Sequence, residues 1–340
     1  MNNKLIGGMF GLVEFFKINS QPPPFLNKKE LLLTNARSGI NILSTLLRPS
    51  KVWMPSFLCD VMVTAVQNID VEFYDVDSHL HVSRDWLNTV QSGELVVFID
   101  YFGFPFDPSL AKQIKERGGW VLEDASQALL SSHVGKNSDF VLFSPRKFLG
   151  VPDGGILRNN TSIDFSEVQL TSAPAEWWLS AFGATILRRE YDLYGGKRHW
   201  FNIFQETDKN GPLGPYAMSE LSRILLENSF DYSSISQKRR DNYQLLNSYL
   251  SEIALFPELA HDVVPLGYPI CLTNRDYIRR ILFENDVYPP VHWPIFGIVP
   301  KEFEESHKLS NTILTLVCDQ RYTLSDMEKT ANIILRAHSK

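Results

Sequence analysis

Between residues 51 and 157, short apolar runs alternate with helix-patterned segments, and this alternation limits the fold more than any other feature of the chain. Lys51–Met54, Val71–Asp75, Leu95–Ile99, Trp120–Glu123 and Asp139–Phe143 read as strands. Helical patterns stand between them at Asp60–Val66, Arg84–Thr89 and Pro108–Arg117. Leu95-Val-Val-Phe-Ile99 contains no polar residue, as a strand buried on both faces requires. Such strands need helices over both faces, so the pattern predicts an α/β layer with a mostly parallel sheet. Gly155–Leu157 is placed to pair with Asp139–Phe143. Ahead of the first strand, Asn35–Gly39 reads as a polar turn feeding a helix with Ile40, Leu43, Leu46 and Leu47 on one face.

After about residue 170 the pattern changes. Residues 173–210 are rich in aromatics with helical periodicity, and 216–252 read as one long helix or two in sequence. Short elements follow at Val263–Leu272, Arg275–Glu284 and Thr312–Leu316, with a terminal helix from Ser325. A chain of 340 residues exceeds what one core usually serves. The expected division is a large domain over 1–215, with an N-terminal arm and an insertion at about 171–210, and a smaller α+β domain over 216–340.

Composition excludes several functions. Net charge is −6, and basic residues cluster only in short runs: pairs such as Arg188-Arg189 and Arg279-Arg280, and Arg239-Arg240 preceded by Lys238. Nucleic-acid binding wants a concentrated basic face, so no nucleic-acid partner is expected. No stretch approaches the ~20 apolar residues of a membrane span. The N-terminal run Met1–Phe16 carries one lysine and is broken by glycines, unlike a secretion signal. Cys59, Cys271 and Cys318 form no metal-ligand spacing, so no metal is expected, and their odd number suits the reduced cytoplasm.

Four segments fall at predicted strand ends, where open α/β sheets bind ligands. Asn35-Ala-Arg-Ser-Gly39 precedes a helix, so its amides and the Ser38 hydroxyl can hold a phosphate, or Ser38 can be an ordinary cap. Asp124 follows the strand Trp120–Glu123. A carboxylate against a dry sheet needs a cation, such as a protonated pyridine nitrogen, unless it caps the next helix. Lys147 sits beside Phe148 and Leu149, and desolvation there would favour the neutral, nucleophilic amine; the alternative is a snorkelling surface lysine. Val151-Pro-Asp-Gly-Gly155 is either a hairpin turn or a close backbone approach to a ligand.

In order and spacing, Asn35–Leu43, Pro55-Ser56, Tyr74–Asp77, Tyr101-Phe-Gly103, Glu123–Ala128, Ser144–Lys147 and Asp153–Gly155 resemble the DegT/DnrJ/EryC1/StrS sugar aminotransferases. The resemblance runs from about residue 30 to 160 and continues more thinly through Arg239–Tyr243, Arg275-Asp276 and Val291–Trp293. It implies the aspartate-aminotransferase fold type, with a three-layer large domain, a smaller C-terminal domain and pyridoxal 5′-phosphate (PLP) as cofactor. By position it gives Lys147 the Schiff base and Asp124 the pyridine nitrogen. Gln127 is placed near the ring hydroxyl, and Ser38, Gly39 and Ser144 at the phosphate. It further implies a homodimer, an amino donor such as glutamate and a nucleotide-linked keto-sugar acceptor.

The chain departs from the family at several points. Cys59 occupies the position of the aromatic that stacks on the cofactor ring, which leaves Phe57 or another aromatic for that role. Asp100 replaces a histidine. In Leu213–Ser219, Leu213, Pro215 and Ala217 replace the glycine, asparagine and arginine of a segment that reaches the neighbouring subunit in relatives. Trp177, Trp178, Tyr191, Tyr194, His199 and Trp200 form a stretch unlike the family, able to stack on a nucleotide or to build a core or dimer contact. Relatives that dehydrate sugars carry histidine at the lysine position, so Lys147 argues for amino transfer over dehydration. A non-catalytic scaffold or regulator is the third reading.

Overall fold

A computed structural model describes residues 5–13, 21–27 and 30–338; of the N-terminal run, residues 1–4 and 14–16 lie outside the described residues. In chain order, β1 (Ile6–Gly7), β2 (Glu30–Leu33), α1 (Arg37–Leu47), β3 (Lys51–Pro55), α2 (Asp60–Ala65), β4 (Asp70–Tyr74), β5 (Leu95–Ile99) and α3 (Pro108–Glu116) open the fold. Then come β6 (Trp120–Asp124), β7 (Phe140–Phe143), β8 (Gly155–Asn159), β9 (Thr171–Ser172), α4 (Ala175–Tyr194), α5 (His199–Lys209) and β10 (Tyr216–Ala217). The remainder is α6 (Glu220–Asn228), α7 (Tyr232–Leu250), β11 (Tyr268–Cys271), α8 (Arg275–Glu284), β12 (Val287–Tyr288), α9 (Glu304–Thr312), β13 (Ile313–Leu316) and α10 (Leu324–His338).

Nine strands form the main sheet in the order β4-β3-β5-β6-β7-β8-β2-β10-β9. From β4 to β7 all neighbours are parallel, as the alternation of strand and helix requires. Every residue of β5 is buried, in keeping with its central place and its unbroken apolar run. Beyond β7 the sheet turns antiparallel: β8 pairs with β7 from Phe140↔Asn159 to Phe143↔Ile156, and β2 pairs with β8. Strand β10 extends this sheet two residues past 215, and β1 pairs with β12 in the C-terminal part. Residues 216–252 split into α6 and α7. Ser219 and Asp231 cap them, their side chains accepting from the Ser222 and Ser234 amides at 3.2 and 2.9 Å. In the C-terminal part α10 packs on α7 and α8, beside the antiparallel pair β11–β13.

Sequential order along a parallel sheet has one consequence for function. Strands β3, β5, β6 and β7 all run the same way, so Pro55, Ile99, Asp124 and Phe143 end at one edge. The register aligns Ile99 with Asp124 and Asp124 with Leu142. That edge gathers four of the segments singled out in the sequence.

Candidate active site

Asp124 closes β6 and is 7% exposed. Its Oδ1 accepts the Ser126 amide at 2.9 Å, and the other oxygen has no partner among the described residues. A nearly buried carboxylate with an open oxygen is a place for a cation. One turn on, Gln127 is buried, and its Oε1 accepts the Phe102 amide at 2.6 Å. This bond fixes the amide group and leaves Nε2 buried without an acceptor. Phe102 itself sits in the left-handed region at φ 56°. Its carbonyl is held as well, by the Leu266 amide at 2.9 Å, so Gln127 and the C-terminal part clamp a strained residue between them.

Lys147 ends a single 3₁₀ turn, Pro145–Lys147, that follows β7. Here the structure corrects the sequence reading. The turn sends Phe148 and Leu149 into the core and leaves Lys147 exposed, so the desolvation expected from those two neighbours is missing. The ammonium nevertheless acts on the site: it opposes protonation of His292 and favours ionisation of Cys59. Burial, aided by Lys147, holds the His292 ring down at about 3, so it is neutral. Its Nδ1 lies 2.9 Å from Thr315 Oγ1, and its ring meets that of Phe102 edge-on at 5.7 Å. Burial pushes the Cys59 thiol up to about 11, which makes it a poor nucleophile at neutral pH.

The phosphate seat differs from the one read in the sequence. Ser38 is fully buried, its amide donating to Asn35 Oδ1 at 3.0 Å and its hydroxyl lying 3.2 Å from the same oxygen and 3.3 Å from the Pro212 carbonyl. The Gly39 amide donates to the Ala36 carbonyl at 2.9 Å. A Cβ on Gly39 would come within 2.5 Å of Leu142 Cδ1, so this glycine lets α1 press against β7. Ser144 is half-buried, and its hydroxyl has no partner among the described residues. Phe57 is fully buried against Tyr101 and Trp293, with ring centroids at 6.0 and 5.5 Å, so neither face is open for stacking. Cys59 is half-buried at the start of α2.

The glycine-rich turn resolves as a close approach of backbone to backbone. Gly154 bridges to Asn35, and a Cβ on Gly155 would fall 2.2 Å from the Asn35 carbonyl carbon. Asp153 is buried beside it, accepting from Thr34 Oγ1 at 3.3 Å, Ser219 N at 2.8 Å and the Ser222 hydroxyl. Asp100, noted in the sequence for replacing a histidine, joins Glu123 and His133 beneath Asp124. Three groups escaped the sequence reading: Arg37 and Arg146, which both reach Asp208, and Gln320, which reaches the Phe148 carbonyl. Only the adjacency of Arg37 and Arg146 to Ser38 and Lys147 could have flagged any of them from sequence.

These positions suit PLP by the chemistry of their donors. The open carboxylate oxygen of Asp124 matches a pyridinium N–H, and the orphaned Gln127 Nε2 matches the neighbouring phenolic oxygen. The exposed Lys147 amine can reach an aldehyde from the same edge.

No protein-family model and no curated protein matches the chain. Solved structures do. PseC of Helicobacter pylori, an aminotransferase involved in the biosynthesis of pseudoaminic acid, is 14% identical with a TM-score of 0.72, covering 99% of this chain and 100% of its own. NtdA of Bacillus subtilis, solved with the cofactor PMP bound, is 15% identical with a TM-score of 0.67 over 93% of this chain and 74% of its own. A DegT DnrJ EryC1 StrS aminotransferase of Brucella abortus is 16% identical with a TM-score of 0.64 over 92% of this chain and 87% of its own. The chain therefore has the fold of these aminotransferases.

Proposed function

We propose that this chain is a PLP-dependent aminotransferase that moves an amino group from an amino acid, glutamate in the first instance, to a keto acceptor of the nucleotide-linked sugar class. One observation carries the reading: the open oxygen of Asp124 and the orphaned Nε2 of Gln127 lie on the sheet edge that also presents Lys147. When bound, PLP would supply an electron sink for the carbanion left when a proton leaves the substrate carbon. Asp124 would hold the ring nitrogen protonated, and Gln127 would donate to the ring oxygen. Lys147 would hold the cofactor and, once displaced by the donor, move the proton at its Nζ. The sugar acceptor is supported by the fold shared with PseC and by the family motifs in the sequence.

Two copies per molecule fit this reading. Leu179, Leu193 and Tyr194 on α4 and Phe201 on α5 are exposed apolar side chains on one helical hairpin, suited to a homodimer contact.

Absorbance tests the reading directly. Purified protein given PLP should turn yellow, Lys147→Ala should stay colourless, and glutamate should bleach the band. Protein that never takes up the cofactor refutes the reading. A yellow protein that no amino acid bleaches refutes amino transfer alone. The pyridoxamine form, mixed with a panel of keto-sugar nucleotides and keto acids, then identifies the acceptor by return of the yellow band.

A further inference from the structure

We propose that Arg37 and Arg146 receive the cofactor phosphate, so that a single chain supplies the positive charge for it; this rests on the PLP reading above. A phosphate monoester carries −1.5 to −2 charges at neutral pH and binds best to charged donors. Ser38 and Gly39 cannot serve it as they stand. Their amides are taken by Asn35 and Ala36, and the Ser38 hydroxyl is enclosed between Asn35 and Pro212. The charge has to come from beside them.

Arg37 is the first residue of α1, adjacent to Ser38, and Arg146 stands between Ser144 and Lys147. The two guanidiniums meet at Asp208, near the end of α5. Arg37 Nη2 donates to the Asp208 main-chain carbonyl at 2.7 Å, and Arg146 Nη2 lies 3.6 Å from its carboxylate. Two cations thus meet one residue, and only Arg146 is near its carboxylate. That pair is loose, longer than a hydrogen bond, and the Asp208 side chain is 53% exposed, so water competes for it. The first turn of α1 carries no acidic residue, so the positive pole of the helix adds to the same field. A phosphate, able to take two N–H donors from one guanidinium, is a better partner than this carboxylate.

The test compares PLP with pyridoxal, which lacks the phosphate, as ligands of cofactor-stripped protein, each followed by its absorbance. Arg37→Gln and Arg146→Gln should each weaken PLP binding about ten- to a hundredfold and leave pyridoxal binding unchanged. Arg37→Lys and Arg146→Lys should restore most of the loss, and Asp208→Asn should tighten PLP. Equal weakening of both ligands means a merely structural role and overturns the proposal, as does unchanged PLP affinity. Failure of the underlying reading looks different: the unsubstituted protein would then form the yellow species with neither ligand.

Discussion

Beneath Asp124, on the opposite side of β6, Glu123 and Asp100 face each other, and the fold should pay for them in a pH-dependent way. Asp100 is fully buried, with His133 Nε2 3.4 Å from its Oδ2 and the Phe106 amide 3.1 Å from its Oδ1. Glu123 accepts from the Gly135 amide at 3.0 Å and from the Ser138 hydroxyl. Burial pushes Asp100 to about 7 and Glu123 to about 8, the latter helped by the facing carboxylate. The folded protein therefore keeps a proton here at neutral pH that the unfolded chain has already released. Stability from this pair is complete below about pH 4 and is lost as pH rises through 7 and 8. His133 and His292 act the other way, since burial disfavours the charged form of each in the fold; their contribution is present above the ordinary histidine value of about 6.5 and lost on acidification. Near pH 6.5 the unfolded histidines still hold about half a proton each and offset part of the fall, and by about pH 7.5 the acid pair acts alone. One proton corresponds to about 1.4 kcal/mol per pH unit, so the fold should lose about 1–2 kcal/mol from about pH 6.5 to 8. Urea denaturation at constant ionic strength, with an unchanged slope against denaturant, measures this. Asp100→Asn keeps the Phe106 contact and removes one carboxyl, so it should flatten the profile and gain about 1–2 kcal/mol over the parent at pH 8. A parent profile that is level or rising from pH 6.5 to 8, or an Asp100→Asn profile as steep as the parent's, refutes the reasoning.

Three further substitutions test the packing around the site. Gly155→Ala drives a Cβ into the backbone of Asn35 and Ala36, at 2.2 to 2.5 Å, and should cost about 3 kcal/mol or abolish folding, as thermal melting and soluble yield would show. Gln320→Ala removes the acceptor of the buried Arg239 Nε (2.8 Å) and the donor to the Phe148 carbonyl (2.6 Å), with an expected loss of about 2 kcal/mol in urea. Unchanged stability would mean that water replaces both bonds. Gln127→Leu orphans the buried Phe102 amide while that residue stays left-handed, so about 1–3 kcal/mol should be lost in the cofactor-free protein, read from its unfolding midpoint.

The fold was legible because its signals are local. An apolar run such as Leu95–Ile99 declares a buried strand, and the helices Pro108–Glu116 and Arg275–Glu284 begin and end within one residue of where periodicity puts them. Strand β2 was not legible: Glu30–Leu33 is four residues without alternation, and it enters the sheet only by pairing with β8, more than 120 positions later. The site divides along the same line. Asp124 and Gln127 lie where strand ends and family spacing put them, because the parallel register alone brings them to the edge. Ser38, Phe57 and Lys147 stand at that edge too, but the exposure of the first two depends on neighbours remote in sequence and that of Lys147 on a turn that periodicity does not announce. Pro212 closes over Ser38, Trp293 fills the space beside Phe57, and a 3₁₀ turn rotates Lys147 outward while Phe148 takes the core.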